Sequence, residues 1–291
     1  MHSNIELARV EKDSIKALRR LNESEVQEIR ECNKDIFNFN RHFKLVEYVL
    51  YNFACFKACI ENSLQAFATQ TDTIGRYDLD SFGHEINITL LNLMMSTRTL
   101  LDHMETSIKR EYGKNSSETD FFKSLTAKEF DDKFSYKFMY KLRNYVQHCG
   151  MPPLSYSKTK TLDCEAPFAS LELQFNRDSL LSEYDEWGAI VKPELEAQEE
   201  KFDAFFIVDE FIASILRIYI CFTDRTSFNK TQKSRERIAE IISQPASYFD
   251  DDYCLFSATE SEGGKLHFRM SWIPASLFRK IEHYLKLRDE I

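Results

Sequence analysis

The chain has few of the residues that interrupt regular structure: of its 291 residues, 7 are glycine and 6 are proline. Both residue types break helices, so their scarcity favours long helices and a mainly α-helical fold. Long uninterrupted apolar runs are also missing, because the longest one, residues 205–222, carries Asp209, Glu210 and Arg217. Charges of this kind are rare within a membrane span. This stretch is therefore expected to be a buried helix, and no membrane partner is predicted.

The chain also has no excess of positive charge, and its formal net charge is −9. This net negative charge argues against a protein that binds duplex nucleic acid along an extended basic surface, but it permits a local basic pocket. The seven cysteines are scattered, and the first 20 residues contain no apolar core of signal-peptide type. These features predict reduced thiols and a cytoplasmic protein. The sequence contains no glycine-rich phosphate loop, nucleophile elbow or metalloprotease motif, so no cofactor and no metal are predicted.

Several long helices are predicted from the spacing of apolar residues. Their predicted ranges are 4–21, 23–68, 81–112 and 228–243, with a break near residues 38–40 left open. The tract between the second and third helices, residues 69–78, is expected to be a loop. The third helix should end at Gly113, because glycine adopts the left-handed conformation that commonly ends a helix.

Another helix is predicted over residues 126–149, after a polar connector at 114–120. Thr126 and Glu129 have the T-x-x-E spacing of a capping box, which predicts where this helix begins. Gly150, followed by two prolines, predicts where it ends. One face of the helix carries apolar residues at helical spacing and is expected to be core: Phe130, Phe134, Phe138, Leu142, Tyr145 and Cys149.

Two segments alternate apolar and polar residues and predict β-hairpins, at residues 154–175 and 253–272. Between them, helices resume at Asp178, Pro193 is expected to break a helix, and residues 194–222 are expected to form one long helical segment. A closing helix should begin at Pro274. The predicted protein is thus a mainly α single domain with one or two short hairpins.

A candidate active-site motif lies near the end of the helix predicted over 126–149. It consists of Arg143, Asn144 and His148 in the order R-N-x-x-x-H. With 17 arginines and 7 histidines, about one R-x(4–6)-H match is expected by chance, and a second one occurs at Arg98 and His103. Only the first has Asn after Arg, which lowers the chance expectation to well below about 0.1.

This motif resembles that of the HEPN superfamily, whose ribonuclease members carry R-x(4–6)-H, frequently with a polar residue after the arginine. The resemblance implies an up-and-down helical bundle over about residues 40–222, with residues 223–291 as an additional helix and hairpin–helix element. It also implies a metal-independent endoribonuclease, of the kind found as bacterial toxins and antiviral effectors. Such proteins generally form homodimers whose motifs share one cleft, and an antitoxin or sensor protein is a further expected partner.

The residue types suit RNA cleavage without a metal ion. Histidine can transfer protons near neutral pH, arginine can bind the charged phosphate, and Asn144 can orient the imidazole or the nucleotide. At 100° per residue, Asn144 and His148 share one face of a helix, whereas Arg143 points about 140° away from His148. One regular helix therefore does not assemble the site, which agrees with the dimer that the resemblance implies.

Other interpretations of the same residues remain open. Arg143 and His148 could form a solvated basic helix end, with His148 only a C-terminal cap. Arg98, Asp102 and His103 could be a surface group, or they could reach the same cleft if the two helices are antiparallel neighbours. The alternative functions are a catalytically silent nucleotide- or RNA-binding module and a helical dimeric scaffold.

Overall fold

The computed structural model describes residues 5–69, 79–161, 168–260 and 266–291, and it is mainly helical, as predicted. The α-helices are α1 (Glu23–Thr69), α2 (Leu79–Glu111), α3 (Ser117–Asp132), α4 (Phe134–His148), α5 (Arg177–Glu183), α6 (Gly188–Glu196), α7 (Ala204–Thr223), α8 (Asn229–Ile242) and α9 (Phe278–Glu290). A π-helical turn at Asp224–Phe228 precedes α8, and a 3-10 turn at Ala275–Leu277 precedes α9. The helix predicted to close the chain therefore begins just after Pro274.

The strands form two small antiparallel sheets. They are β1 (Glu6–Glu11), β2 (Ser14–Arg20), β3 (Leu154–Thr161), β4 (Phe168–Asn176), β5 (Lys201–Asp203), β6 (Tyr253–Glu260) and β7 (Leu266–Trp272). One sheet has the order β2-β1-β6-β7 and the other the order β3-β4-β5. Both predicted hairpins, β3–β4 and β6–β7, are confirmed.

Close contacts divide the chain into two compact units. One comprises Met1–Lys44 and Thr223–Ile291, and the other comprises Leu45–Phe222. The single-domain interpretation stays a prediction. The candidate motif lies in the second unit, which contains α2 to α7 and the sheet of β3, β4 and β5.

The helix predicted for residues 4–21 is wrong, because this segment forms the hairpin of β1 and β2. Strand β1 also pairs with β6, and the adjacent residues Leu7 and Ala8 are both buried. The pairing of β1 with β2 shifts register between Leu7 and Ala8, and such an irregularity interrupts the simple alternation that identifies a half-buried strand. Strand β6 lies more than 240 residues from β1 along the chain, so local periodicity could not reveal their pairing.

The two longest helices follow the prediction. Helix α1 is continuous over 47 residues, so the break left open near residues 38–40 does not occur. Helix α2 ends before Gly113, whose φ of 99° is the left-handed conformation expected there. The loop predicted at 69–78 lies almost wholly outside the described residues.

The single helix predicted over residues 126–149 is wrong, because the chain forms α3 and α4 there. Helix α3 begins inside the predicted connector, where the Ser116 side chain accepts a hydrogen bond from the Thr119 amide at 3.1 Å. Thr126 therefore lies inside α3 and is not a cap. The helices separate at Lys133, which has extended backbone angles of −122° and 110°. The side chain of Lys133 binds Glu210 on α7 at 3.0 Å, a tertiary contact that periodicity does not reveal.

The predicted break at Pro193 and the predicted helical segment at 194–222 are also wrong. Pro193 lies inside α6, which ends three residues later, so the hydrogen bond that proline removes affects only a short helix. Strand β5 then interrupts the segment by pairing with β4, and α7 begins after it. Within the described ranges, none of the helices combines the length and apolar character that crossing a bilayer requires.

An ion-pair network joins the α3–α4 junction to α7. Glu129 accepts two hydrogen bonds from Arg217, at 2.9 and 2.7 Å. The Ser135 hydroxyl donates to Glu210 at 2.6 Å. Burial alone would raise the pKa of Glu129, but the hydrogen bonds from Arg217 and Ser214 outweigh it and lower that pKa below its usual value. The Glu129 carboxylate is therefore charged at neutral pH in a largely buried position.

Arg217→Met should lower the free energy of unfolding at pH 7 by about 2 to 4 kcal/mol, because it leaves the Glu129 carboxylate largely buried without its cation. Urea unfolding followed by circular dichroism measures this. A pKa lowered by folding gives stability that is present above the unfolded pKa and is lost as the pH falls through the folded pKa. The difference between the two proteins should therefore shrink below about pH 4.

Lys123→Ala is the matched control, since Lys123 pairs with Asp120 on the exposed side of α3 at 3.6 Å. An exposed pair of this kind contributes about 0 to 1 kcal/mol. Equal losses in the two variants at pH 7 would contradict the structural role of the Glu129–Arg217 pair.

Candidate active site

A stack of aromatic rings fixes the rotation of α4 about its own axis. The Trp187 ring lies 5.7 Å from that of Phe138, nearly parallel to it, and 6.1 Å from that of Tyr145. All three side chains are fully buried. The Trp187 indole donates a hydrogen bond to the Leu180 carbonyl at 3.0 Å, and the Tyr145 hydroxyl is hydrogen-bonded to the Glu183 carboxylate. Since the rings hold one side of α4 against α5 and α6, the direction of every other side chain on the helix follows.

The predicted apolar stripe is core only in its central part. Phe138, Leu142 and Tyr145 are buried, as predicted. Phe130 and Phe134 are half-buried, since Phe130 belongs to α3 and Phe134 begins α4. Cys149 is exposed, so its place in the core was predicted wrongly, although its thiol contacts the Glu183 carbonyl at 3.2 Å. The prediction failed at the two ends because it assumed one continuous helix, whereas Phe130 belongs to α3 and Cys149 follows the last residue of α4.

Arg143 lies on the flank of α4 that faces α2. Its Nη1 donates a hydrogen bond to Asn144 Oδ1, a long contact of 3.4 Å. Its Nε is enclosed and has no hydrogen-bond acceptor. In the described part of the chain, no ion pair to Arg143 is found. The structure therefore brings Arg143 and Asn144 together, and Arg143 is a half-buried cation without a carboxylate.

Arg143 shares a pocket with Arg98 of α2. The pocket has a cavity volume of about 20 Å³, enough for about one water molecule. Its other lining residues are mostly apolar or aromatic: Met94, Thr97, Leu101, Tyr136, Met139, Tyr140 and Phe211. The Arg98 guanidinium forms two contacts of 2.9 Å with Asp102 and lies 5.5 Å from the centre of the Tyr140 ring. Arg98 of the second R-x(4–6)-H match thus lines the same pocket as Arg143. His103 of that match is exposed.

His148 lies in the last turn of α4, on the exposed side. It is followed by Cys149 as the helix cap and by Gly150 with a φ of 130°. Within the described ranges, no hydrogen bond or ion pair to His148 is found. Within one chain, His148 therefore does not lie beside Arg143. This agrees with the angle of about 140° between the two side chains around the axis of a regular helix.

Helix α8 of the first unit carries a cluster of basic residues. Three of them form ion pairs of 2.7 to 2.8 Å with acidic residues: Lys230 with Asp35, Arg235 with Glu282 and Arg237 with Glu28. Among the residues that the structure describes, no three His, Cys, Asp or Glu side chains are grouped as metal ligands. Comparisons of the chain with protein-family models, with curated proteins and with solved structures found no match.

Trp187→Ala should lower the free energy of unfolding by about 3 to 5 kcal/mol, because it removes the largest fully buried side chain beside α4. The change is measured by urea unfolding followed by circular dichroism. The control is Ile190→Ala on the same helix, since Ile190 is 55% exposed and should change stability by less than about 0.5 kcal/mol. A Trp187→Ala protein as stable as the control would contradict the role of the ring stack.

Proposed function

We propose that this protein is a metal-independent endoribonuclease of the HEPN type, with Arg143, Asn144 and His148 as its catalytic residues. The observation that carries the proposal is the half-buried Arg143 cation, which contacts Asn144 and has no carboxylate partner among the described residues. His148 lies at the exposed end of the same helix, little more than one turn away. An HEPN-like up-and-down bundle over about residues 40–222 is part of this proposal.

The proposed reaction is attack of the ribose 2′-oxygen on the neighbouring phosphorus, with breakage of the bond to the 5′-oxygen. A base must accept the 2′-hydroxyl proton, and an acid must give a proton to the leaving 5′-oxygen. His148 is assigned the acid role, since histidine is the side chain that most often transfers protons in catalysis and His148 is exposed to an incoming substrate. Arg143 binds the phosphate oxygens as their charge grows, and Asn144 orients the Arg143 guanidinium. The products carry a 2′,3′-cyclic phosphate and a 5′-hydroxyl.

The proposal includes a homodimer, because Arg143 and His148 diverge on α4. Arg143 points toward α2, whereas His148 points to solvent. A second copy can place its own His148 at the first copy's Arg143, which forms one cleft from two chains. A toxin or antiviral effector that cuts cytoplasmic RNA, restrained by an antitoxin or sensor, is the biological role that fits this activity.

One observation favours a second candidate, a catalytically silent RNA- or nucleotide-binding module. Arg143 contacts Asn144 and shares a pocket with Arg98, whereas His148 does not line that pocket. A site without the imidazole can bind phosphate but has no group for proton transfer. Replacement of His148 separates the two candidates, since it should remove cleavage without removing binding.

His148→Ala and Arg143→Ala should each lower RNA cleavage by about 100-fold or more, because they remove proton transfer and charge stabilisation. Asn144→Ala should lower it less, since water can partly replace an orienting group. Cleavage of total RNA and of tRNA is followed on gels, and the ends of the products are identified by mass spectrometry. EDTA should not change the rate.

His103→Ala is the matched control, because His103 is also an exposed histidine of an R-x(4–6)-H match. It should cleave RNA like the unchanged protein. Products with 5′-phosphate ends, or activity lost with EDTA, would contradict the metal-free reaction. Full cleavage by His148→Ala would overturn the site, and binding without cleavage in the unchanged protein would favour the silent module.

A further inference from the structure

The pocket between α2 and α4 contains two guanidinium groups and a single carboxylate. Arg98 and Arg143 line it from opposite helices, and Asp102 is bound to Arg98 by two contacts of 2.9 Å. The described pocket residues therefore have one uncompensated positive charge.

The surroundings strengthen the attraction of this pocket for an anion. Tyr136 and Phe211 are buried, and with Met94 and Met139 they give the pocket walls of low polarity. Electrostatic interactions are stronger beside such walls than in open solvent. Among the described residues Arg143 has no carboxylate partner, so an anion that binds its guanidinium does not have to displace one.

We infer that Arg98 is a second phosphate-binding residue, which holds one phosphodiester group of RNA together with Arg143, and that Asp102 competes with this phosphate for Arg98. The inference rests on the proposed function for its substrate. Two guanidiniums on neighbouring helices can bind two oxygens of one phosphate, and such charge-assisted hydrogen bonds are among the stronger ones in proteins.

Asp102 is suited to this exchange because its pair with Arg98 is largely solvated. The Asp102 side chain is 47% exposed and that of Arg98 is 33% exposed. A solvated pair of this kind stabilises the protein little, so a phosphate can replace the carboxylate at small cost. Arg98 also keeps its contact with the Tyr140 ring, which limits the movement of the guanidinium.

Binding is measured with a 2′-O-methyl RNA oligonucleotide, which has no free 2′-hydroxyl and so reports binding apart from cleavage. Fluorescence anisotropy is recorded over a range of salt concentrations. Arg98→Ala should weaken binding about tenfold or more and reduce the salt slope by about one. Arg98→Lys should recover part of the loss, since it keeps the charge. Asp102→Asn should tighten binding, because it removes the competing carboxylate.

The matched control is the second ion pair of α2, between Glu105 and Lys109, which also has the i,i+4 spacing but does not line the pocket. Glu105→Gln and Lys109→Ala should change binding by less than about twofold. Circular dichroism should show that every variant is folded. Equal weakening by Lys109→Ala and Arg98→Ala would show an effect of net charge alone and would overturn the inference.

Cleavage of unmodified RNA separates this inference from the proposed function. Arg98→Ala should raise KM more than it lowers kcat, because it removes a binding contact and leaves His148 in place. If His148→Ala abolishes cleavage while Arg98→Ala changes neither binding nor KM, the proposed ribonuclease function is supported and the phosphate-binding role of Arg98 is contradicted. If Arg98→Ala weakens binding while the unchanged protein never cleaves RNA, phosphate binding at this pocket is supported and the proposed ribonuclease function is contradicted.

Discussion

The stacking of Trp187 on Phe138 and Tyr145 is the contact on which the candidate site depends, because it fixes the rotation of α4. With these rings held toward α5 and α6, Arg143 must point to the flank beside α2, and His148 must point to solvent. A rotation of α4 by one residue position would turn every side chain by about 100° and exchange these environments. Core packing within one chain thus separates Arg143 from His148, and for this reason the proposed site takes these two residues from different chains.

Local charge matters more for this site than total charge. The chain is acidic, and most of its described ion pairs neutralise their cations, such as Arg217 with Glu129 on the same unit. Arg143 has no carboxylate partner among the described residues, contacts an amide oxygen and shares its pocket with a second guanidinium. An acidic protein can therefore present one anion-binding pocket without an extended basic surface, because a polyanion would contact the pocket and not the whole surface.

The sequence predicted the features that arise from local chemistry. The end of α2 at Gly113 and the two hairpins follow from glycine conformation and from apolar alternation, and the structure has them. The hairpin of β1 and β2 and the break at Lys133 were missed, because both depend on contacts with distant segments. For the site, helical geometry predicted that Arg143 and His148 diverge. It could not place Arg98 beside Arg143, although the second R-x(4–6)-H match had singled out Arg98, because that neighbourhood depends on the packing of α2 against α4.

The most direct test of the two-chain site is complementation between Arg143→Ala and His148→Ala proteins, mixed under conditions that allow subunits to exchange. If each cleft uses Arg143 from one chain and His148 from the other, a mixed dimer retains one intact cleft, since each chain supplies the residue that the other lacks. Half of the dimers in an equal mixture are mixed, so about a quarter of the unchanged protein's cleavage should return, while each variant alone stays inactive. A mixture that remains as inactive as its components, when the unchanged protein cleaves RNA, would contradict a site built from two chains.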